Sequence, residues 1–303
     1  MALISKDSLD MSGTKLGPYT IVELLGKGGI GTVYLAKNRR TGDLEALKML
    51  LPELTESAEM KERFGREICN SAILDHPNII KVMDYGKCND ICYYAMEYCI
   101  GGSLMDLLRR EGGILSYEKA VRITIQVLDG LEYAHNVTVP YGKPNGGSQN
   151  SEKGLIHRDI KPENILIQDT DKKAIVKIAD FGLAKIFRLA GFSGKTRTGS
   201  VGGSPGFISR QQLVNFKYSK PEVDLWSATA VLYFLITGTT PRKCGNEKNP
   251  FNAVLKHNPV PIRKVDPCVP EGLASVIDRA LDDSSSLFYK NAADLKRDIA
   301  NCI

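Results

Sequence analysis

The sequence predicts an α+β fold in two parts, a strand-rich first part followed by a longer, mainly helical part. Short apolar segments rich in β-branched and aromatic residues recur from Tyr19 to about residue 99. Two glycines, Gly101 and Gly102, then interrupt the pattern, and helical spacing of apolar residues dominates after them. We divide the chain into an N-terminal extension expected to fray, a strand-rich unit, a connecting segment and a helical unit, at residues 1–17, 18–98, 99–102 and 103–303.

The first unit is expected to be an antiparallel sheet of five strands with one helix. The helix is predicted from Pro52 to Leu74, with apolar positions at Phe64 and Ile68 and a proline beyond its end. A turn at Asn89-Asp90 joins the last two strands. The five strands are predicted in YTIVELLG, TVYLAKN, DLEALKML, NIIKVMDYGK and CYYAMEYC.

The second unit begins where Ser103 can cap the helix LMDLLRR. Residues 137–153 form a polar insertion of glycine, asparagine, serine and proline, which predicts a flexible surface loop, with a dedicated docking loop as the rarer alternative. Further helices are predicted at 117–135, 222–237, 271–281 and 292–301.

Composition excludes several classes of protein. The 303 residues are 43% hydrophobic and 25% charged, which is typical of a globular chain. No apolar segment approaches the roughly twenty residues that cross a bilayer. A net charge of +5 is too small and too dispersed to indicate a nucleic-acid partner. None of the seven cysteines has Cys-x-x-Cys spacing, so we expect free thiols and a cytoplasmic location rather than a metal site.

A glycine cluster separates the first two predicted strands. Gly26, Gly28 and Gly31 have the spacing G-x-G-x-x-G, and glycine lets the backbone approach a polyphosphate with its N–H groups. Alone this pattern is weak evidence, since a chance glycine turn is an equal alternative. Because a second strand follows, rather than the helix of a dinucleotide-binding fold, we expect a flap that covers phosphates.

Lys48 is the charged residue of an apolar strand segment, Ala46-Leu47-Lys48-Met49. A lone strand lysine is usually an edge residue that faces water. Glu67, on the predicted helix, offers the partner that a buried ammonium needs. Paired in this way, Lys48 could hold the α- and β-phosphates of a nucleotide.

Two further motifs carry most of the functional information. His157-Arg158-Asp159-Ile160-Lys161-Pro162-Glu163-Asn164 is followed, sixteen residues after Asn164, by Asp180-Phe181-Gly182. Together with the glycine flap and the strand lysine, in this order, they resemble the catalytic domain of eukaryotic-type (Hanks-type) serine/threonine protein kinases, in the bacterial style. The resemblance covers roughly residues 18–300 and implies a bilobal fold, with a small sheet lobe and a larger helical lobe.

The resemblance implies a role for each of these side chains. Asp159 would orient the substrate hydroxyl, and Lys161 would neutralise the transferring phosphoryl group. Asn164 and Asp180 would hold Mg²⁺, with Mn²⁺ as the alternative ion. His157 would brace the loop. The catalytic residues implied are Asp159, Lys161, Asn164, Lys48 and Glu67.

An ATP site in the cleft between the lobes is also implied. Val33, Ala46 and Leu166 would enclose the adenine, and Met96 falls at the gatekeeper position. The remaining ATP-binding residues implied are Gly26, Lys27, Gly28, Gly29 and Gly31 of the flap, Lys48, the hinge residues Glu97 and Cys99, and Asp180. Asp224, at the start of the helix 222–237, would hold catalytic-loop backbone or simply favour the helix dipole.

The segment from about 180 to 211 matches the activation segment of these kinases. Thr196, Thr198 and Ser200 are candidates for phosphorylation, and a phosphate there could pair with Arg158. Phosphorylation between two copies of the chain would require a homodimer. Arg210-Gln211 stands where the family has Pro-Glu, and the matching arginine slot falls at Phe288, which puts anchoring of the segment in doubt.

These features predict an active enzyme that transfers the γ-phosphate of ATP to serine or threonine hydroxyls of protein substrates. A pseudokinase or scaffold that acts through protein contacts is the alternative, supported by Arg210-Gln211 and by the insertion. A small-molecule kinase is a third reading. The His-Arg-Asp sequence and the long activation segment argue against it.

Overall fold

The computed structural model describes residues 11–29, 31–52, 58–141, 150–168, 174–182, 205–242 and 249–303. Within these ranges the chain forms a sheet lobe followed by a mainly helical lobe. The strands are β1 Lys15–Leu16, β2 Tyr19–Gly28, β3 Gly31–Asn38, β4 Leu44–Leu50, β5 Val82–Cys88, β6 Ile91–Glu97, β7 Thr138–Tyr141, β8 Asn150–Lys153, β9 Ile165–Gln168 and β10 Ile175–Ile178. The helices are α1 Ala58–Ala72, α2 Leu104–Arg110, α3 Tyr117–Asn136, α4 Arg210–Val214, α5 Glu222–Thr237, α6 Pro250–Lys256, α7 Glu271–Leu281 and α8 Ala292–Ala300.

The small lobe is an antiparallel sheet of six strands, in the order β1-β2-β3-β4-β6-β5. The prediction of five strands was wrong, because it missed the two-residue β1, which pairs with β2 at the edge of the sheet. The described part of the N-terminal extension is not frayed, since Met11 and Leu16 are buried against the sheet. A strand of two residues is too short to produce a periodic pattern, and packing rather than propensity holds it.

Side chains alternate between the two faces of this sheet, as the period of a strand requires. Leu47 and Met49 of β4 belong to a cluster on one face, which the N-terminal segment covers. Ala46 and Leu50 belong to a second cluster on the other face, together with Phe64 of α1. The second face is the one that borders the helical lobe, through contacts with Ala179 and Leu166.

Helix α1 occupies the predicted place but is shorter than the predicted 52–74. It ends at Ala72, and Leu74 lies beyond that end in buried packing with the large lobe. Phe64 and Ile68 lie one turn apart and face the sheet, as the apolar spacing predicts. The residues at 53–57 lie outside the described ranges.

Helix α5 forms the centre of the large lobe. It is buried on nearly every side, with Trp226 and Tyr233 among its fully enclosed residues. Helices α3, α7 and α8 pack around it. The predictions of 117–135, 222–237, 271–281 and 292–301 are confirmed to within one residue at each end. The side chain of Ser103 caps α2 as predicted, and Asp106 completes a capping box.

The prediction of a loop throughout 137–153 was wrong, because residues at both ends of the polar insertion form strands. Strands β7 and β8 pair as an antiparallel hairpin, with Thr138 opposite Lys153 and Tyr141 opposite Asn150. The residues between them, 142–149, lie outside the described ranges. Composition misled here because glycine and asparagine dominate the tip and hide the few strand positions that flank it.

Among the residues that the structure describes, every helix is too short or too polar to span a bilayer.

Candidate active site

The hairpin of β9 and β10 places two predicted site residues at one end of the large lobe. Ile165 pairs with Ile178, so the residues just outside this pair, Asn164 and Ala179, face each other. The N–H of Ala179 donates to the carbonyl oxygen of Asn164 at 2.8 Å. Asp180 follows directly. The hairpin therefore brings Asn164 and Asp180 together although sixteen residues separate them.

Two side chains of the predicted catalytic loop, residues 157–164, converge on the carboxylate of a third, Asp159. Lys161 Nζ lies 2.8 Å from Asp159 Oδ2. The amide nitrogen of Asn164 donates to the same oxygen at 2.9 Å and to the backbone carbonyl of Asp159 at 2.8 Å. Burial acts to lower the pKa of Lys161, but the charge of Asp159 and the hydrogen bond to it outweigh burial and raise that pKa. Lys161 is therefore a stable cation beside an oriented carboxylate.

The loop that carries Asp159 is fixed from beneath by buried polar groups. His157 is fully buried, and its Nε2 donates to Ala179 O at 2.7 Å while its Nδ1 accepts from the N–H of Asp159 at 3.1 Å. These partners fix the neutral tautomer with the proton on Nε2. The ring also packs edge-on against Phe181, with centroids 4.7 Å apart. The bracing role predicted for His157 matches these contacts.

Asp224 holds the same loop from the first turn of α5. Its carboxylate accepts from the N–H groups of His157 and Arg158, each at 2.8 Å, and lies 2.8 Å from His135 Nε2. The predicted contact between Asp224 and catalytic-loop backbone is confirmed. Arg158 has φ 67°, a left-handed conformation that side chains other than glycine adopt rarely. The hydrogen bonds to Asp224 offset the cost of that conformation.

Because of these contacts, the stability of the folded protein should depend on pH. Burial acts to raise the pKa of Asp224, but the hydrogen bonds from His135 and from the backbone N–H of Arg158 outweigh burial and lower that pKa. An aspartate with a lowered pKa stabilises the folded state above its unfolded pKa of about 3.9, and this contribution disappears as the pH falls through the folded value. Asp224→Asn is expected to reduce the free energy of unfolding by about 2–3 kcal/mol at pH 6.

The check is urea unfolding of Asp224→Asn and the wild type between pH 6 and pH 3. The difference between the two proteins should shrink steadily below about pH 4. Parallel curves over the whole range would mean that ionisation of Asp224 contributes nothing.

Asp180 forms an ion pair with the strand lysine at the back of the cleft. Lys48 Nζ lies 2.5 Å from Asp180 Oδ2, and Tyr94 donates its phenolic O–H to Oδ1 at 2.6 Å. Burial acts to raise the pKa of Asp180, but the charge of Lys48 and the hydrogen bonds from Lys48 and Tyr94 outweigh it and lower that pKa. Glu67 of α1 lies nearby, since a Cβ on Gly182 would stand 2.8 Å from its Oε2. The pairing of Lys48 with Glu67 remains a prediction.

The glycine flap is the hairpin of β2 and β3, with Gly28 opposite Gly31. A Cβ on Gly31 would lie 2.0 Å from the carbonyl oxygen of Met49, so only glycine lets β3 approach β4 here. A Cβ on Gly26 would meet no atom within 4 Å, so the protein's own packing does not require that glycine. Lys27 pairs with Thr32, and Gly29 begins the turn.

The residues predicted around the adenine lie in one hydrophobic cluster. Ala46, Met96 and Cys99 are buried members, and Val33 and Leu166 pack against them. Leu166 comes from β9 of the large lobe, so the cluster joins the two lobes.

The hinge is fixed by a second link between the lobes. The Glu97 carboxylate accepts from the N–H of Lys81 at 2.7 Å and pairs with Lys177 Nζ of β10 at 2.9 Å. The Glu97 side chain is thus engaged with protein, and its predicted adenine contact would come from backbone atoms. Burial, and secondarily the charge of Glu97, raise the pKa of the Cys99 thiol to about 12.

The end of the predicted activation segment is anchored at Asp283, where Arg210 Nη1 lies 3.8 Å from Asp283 Oδ1. Gln211 Nε2 donates to the carbonyl oxygens of Asp283 and Ser285, each at 2.9 Å. The N–H of Arg210 donates to Asp283 Oδ2 at 2.7 Å. Phe288, at the expected arginine slot, is 55% exposed and packs beside Tyr289. The doubt about anchoring is therefore answered by a different set of contacts. Thr196, Thr198 and Ser200 lie outside the described residues.

Two residues of the site escaped the sequence analysis. Gln212 is buried and donates to the carbonyl oxygen of Arg158 at 2.7 Å, which ties α4 to the catalytic loop. Tyr94 is buried and holds Asp180. Strand alternation alone could place Tyr94 on the same face as Ala46 and Met96, but no pattern distinguishes it from its neighbour Tyr93.

Comparison with known proteins agrees with this geometry. The chain matches the family model of the protein kinase domain over residues 19–286. A probable serine/threonine-protein kinase of Clostridium perfringens is 32% identical over 293 residues, which cover 95% of this chain and 39% of that protein. The serine/threonine-protein kinase pkn2 of Myxococcus xanthus is 28% identical over 295 residues, which cover 97% of this chain and 33% of that protein. The chain thus spans less than half the length of these relatives.

The fold also matches solved structures. The crystal structure of the Mycobacterium tuberculosis PknI kinase domain aligns with a TM-score of 0.70 at 22% identity, covering 98% of this chain and 100% of that one. This likeness shows the fold, and the family match over most of the sequence shows the relationship. The chain therefore belongs to the protein kinase family.

Proposed function

We propose that this chain transfers the γ-phosphate of ATP to serine and threonine hydroxyls of protein substrates. The observation that carries the proposal is the convergence of Lys161 and Asn164 on the carboxylate of Asp159, next to the Lys48–Asp180 pair. A phosphoryl transfer enzyme needs an oriented base, cations for the phosphates and oxygen ligands for a metal. The described residues supply each of these groups.

Asp159 is assigned to the substrate hydroxyl. Because Lys161 and Asn164 both hold Oδ2, the other oxygen, Oδ1, can accept the hydroxyl's hydrogen bond. The hydroxyl oxygen then forms a bond to the γ-phosphorus while the bond from phosphorus to the β–γ bridging oxygen breaks, and ADP leaves with that oxygen. The hydroxyl proton passes to Asp159.

The donor set at Asn164 and Asp180 fits a hard divalent cation. The amide nitrogen of Asn164 is engaged by Asp159, which leaves its amide oxygen as the available ligand. Asp180 contributes a carboxylate, and oxygen donors of this kind suit Mg²⁺ or Mn²⁺. When bound, such an ion would neutralise phosphate charge. Lys48 would contact the α- and β-phosphates from the strand side.

The same proposal covers the type of substrate residue, autophosphorylation and cellular location. The names of the relatives and the cation at Lys161 support serine and threonine over tyrosine. We propose Thr196, Thr198 and Ser200 as sites of autophosphorylation, with two copies of the chain meeting for transfer in trans. We also propose a cytoplasmic location, supported by the free thiols of all six cysteines in the described ranges.

The test is the intact mass of phosphatase-treated protein after incubation with Mg²⁺ and ATP, alone and with dephosphorylated casein. Asp159→Asn is the matched control. The wild type, and casein mixed with it, should gain mass in steps of one phosphate, and peptide mapping should locate the phosphate on serine or threonine. No gain in chain or casein would contradict the proposal, and transfer only to small hydroxyl compounds would favour a small-molecule kinase.

A further inference from the structure

The back of the cleft holds a phenol in an apolar setting. Tyr94 lies on β6, two residues before Met96, and its side chain is 2% exposed. It lines a small pocket whose other side chains are mostly apolar, with Ser71 and Asp180 as the polar members. Its O–H is directed at Asp180 within this pocket, with an oxygen–oxygen distance of 2.6 Å to Oδ1.

The two oxygens of the Asp180 carboxylate are held from different sides. Tyr94 donates to Oδ1 from the back pocket, and Lys48 contacts Oδ2 from β4. Asp180 itself has φ 66°, a left-handed conformation that aspartate adopts more readily than most residues other than glycine. The two side-chain contacts fix the orientation of its carboxylate.

The two contacts differ in how they can change when a nucleotide binds. The Lys48 ammonium is a flexible point charge that can turn from Asp180 to phosphate oxygens. The Tyr94 hydroxyl is buried among mostly apolar side chains, so leaving Asp180 would cost it a hydrogen bond that this pocket does little to replace. When Lys48 moves, Oδ2 is released toward the cleft while Oδ1 stays fixed.

We propose that Tyr94 is a positioning residue for the metal ligand Asp180, which anchors one carboxylate oxygen from the back pocket so that the other faces the divalent cation. This inference rests on the proposed function, because it assigns a metal to Asp180. It adds a residue of β6 to Met96 and Glu97, the ATP-site residues predicted on that strand.

The test compares Tyr94→Phe with the wild type in binding Mn²⁺. Free Mn²⁺ is measured by electron paramagnetic resonance during titration of the protein at a fixed, saturating concentration of ADP. Loss of a hydrogen bond to a charged group is expected to raise the Mn²⁺ concentration at half-saturation about tenfold. The rate of phosphoryl transfer to casein should show a matching shift in its Mg²⁺ dependence, with most of the rate recovered at high Mg²⁺.

Tyr93→Phe is the matched control. Tyr93 is the adjacent residue on the same strand, but it belongs to the cluster on the opposite face of the sheet. Removal of the Tyr93 hydroxyl in Tyr93→Phe should leave Mn²⁺ binding unchanged.

The outcomes separate this inference from the proposed function. If the wild type binds Mn²⁺ with ADP and transfers phosphate while Tyr94→Phe binds Mn²⁺ equally well, Tyr94 has only a structural role. Tighter binding by the variant would mean that the phenol competes with the metal, and this also overturns the inference. A wild type that neither binds Mn²⁺ with ADP nor transfers phosphate would refute both.

Discussion

Asparagine in place of Asp159 is expected to lower the rate of phosphoryl transfer to casein by about 10²–10⁴-fold, the usual contribution of a positioned general base. The substitution keeps one oxygen that can accept from Lys161 and Asn164, so the loop should retain its shape. What the variant loses is an anionic acceptor for the proton of the substrate hydroxyl.

Two measurements separate loss of chemistry from loss of structure. The first is the rate at saturating ATP and Mg²⁺, and the second is the rise in melting temperature on addition of Mg²⁺ and ADP. The variant should lose the rate and keep the nucleotide-dependent rise. A residual rate within tenfold of the wild type would show that Asp159 is not the base.

Methionine in place of Arg242 is expected to lower the free energy of unfolding by about 3–5 kcal/mol, because it leaves the buried Asp283 carboxylate with only the more distant Arg210, 3.8 Å from Oδ1. Arg242 and Asp283 are both fully buried and pair at 2.5 Å. The guanidinium also donates to the carbonyl oxygens of Ile208 and His257 and lies 4.8 Å from the ring of Trp226. Urea unfolding followed by circular dichroism measures the loss.

Arg297→Met provides the control for this measurement. Arg297 pairs with Asp294 at 2.9 Å on an exposed face of α8, and exposed pairs contribute about 1 kcal/mol or less. The double variant Arg242→Met/Asp283→Asn should recover part of the stability that Arg242→Met loses, since it removes the stranded charge. If Arg242→Met and Arg297→Met lose the same free energy of unfolding, the buried pair contributes no more to stability than the exposed pair.

The catalytic loop is the part of the site that the sequence specifies most fully. Asp159, Lys161 and Asn164 lie within six residues of one another, so a local motif specified both their chemistry and their spacing. The hairpin of β9 and β10 then brings Asp180 to them, which follows from ordinary antiparallel pairing. The resemblance indicated Val33, Ala46 and Leu166, which lie in one hydrophobic cluster. Strand alternation puts Ala46 and Lys48 on one face of β4.

Other contacts depend on pairs far apart in the sequence. Arg242 and Asp283 are separated by 41 residues, and Gln212 and Arg158 by 54. Nothing near either residue of such a pair indicates its partner, because each looks like an ordinary surface residue until the helices pack. The departure at Arg210-Gln211 was visible in the sequence, but the contacts of both residues with Asp283 were not.

The thiol at the hinge has a consequence for inhibitor design. Cys99 is 6% exposed, and a pKa of about 12 keeps it protonated at neutral pH. Electrophilic warheads react with thiolates, so an acrylamide directed at the cleft beside Cys99 would find little nucleophile there. Cys69 and Cys268 are the exposed thiols in the described ranges and would react first. Selective compounds for this cleft must rely on shape and reversible contacts.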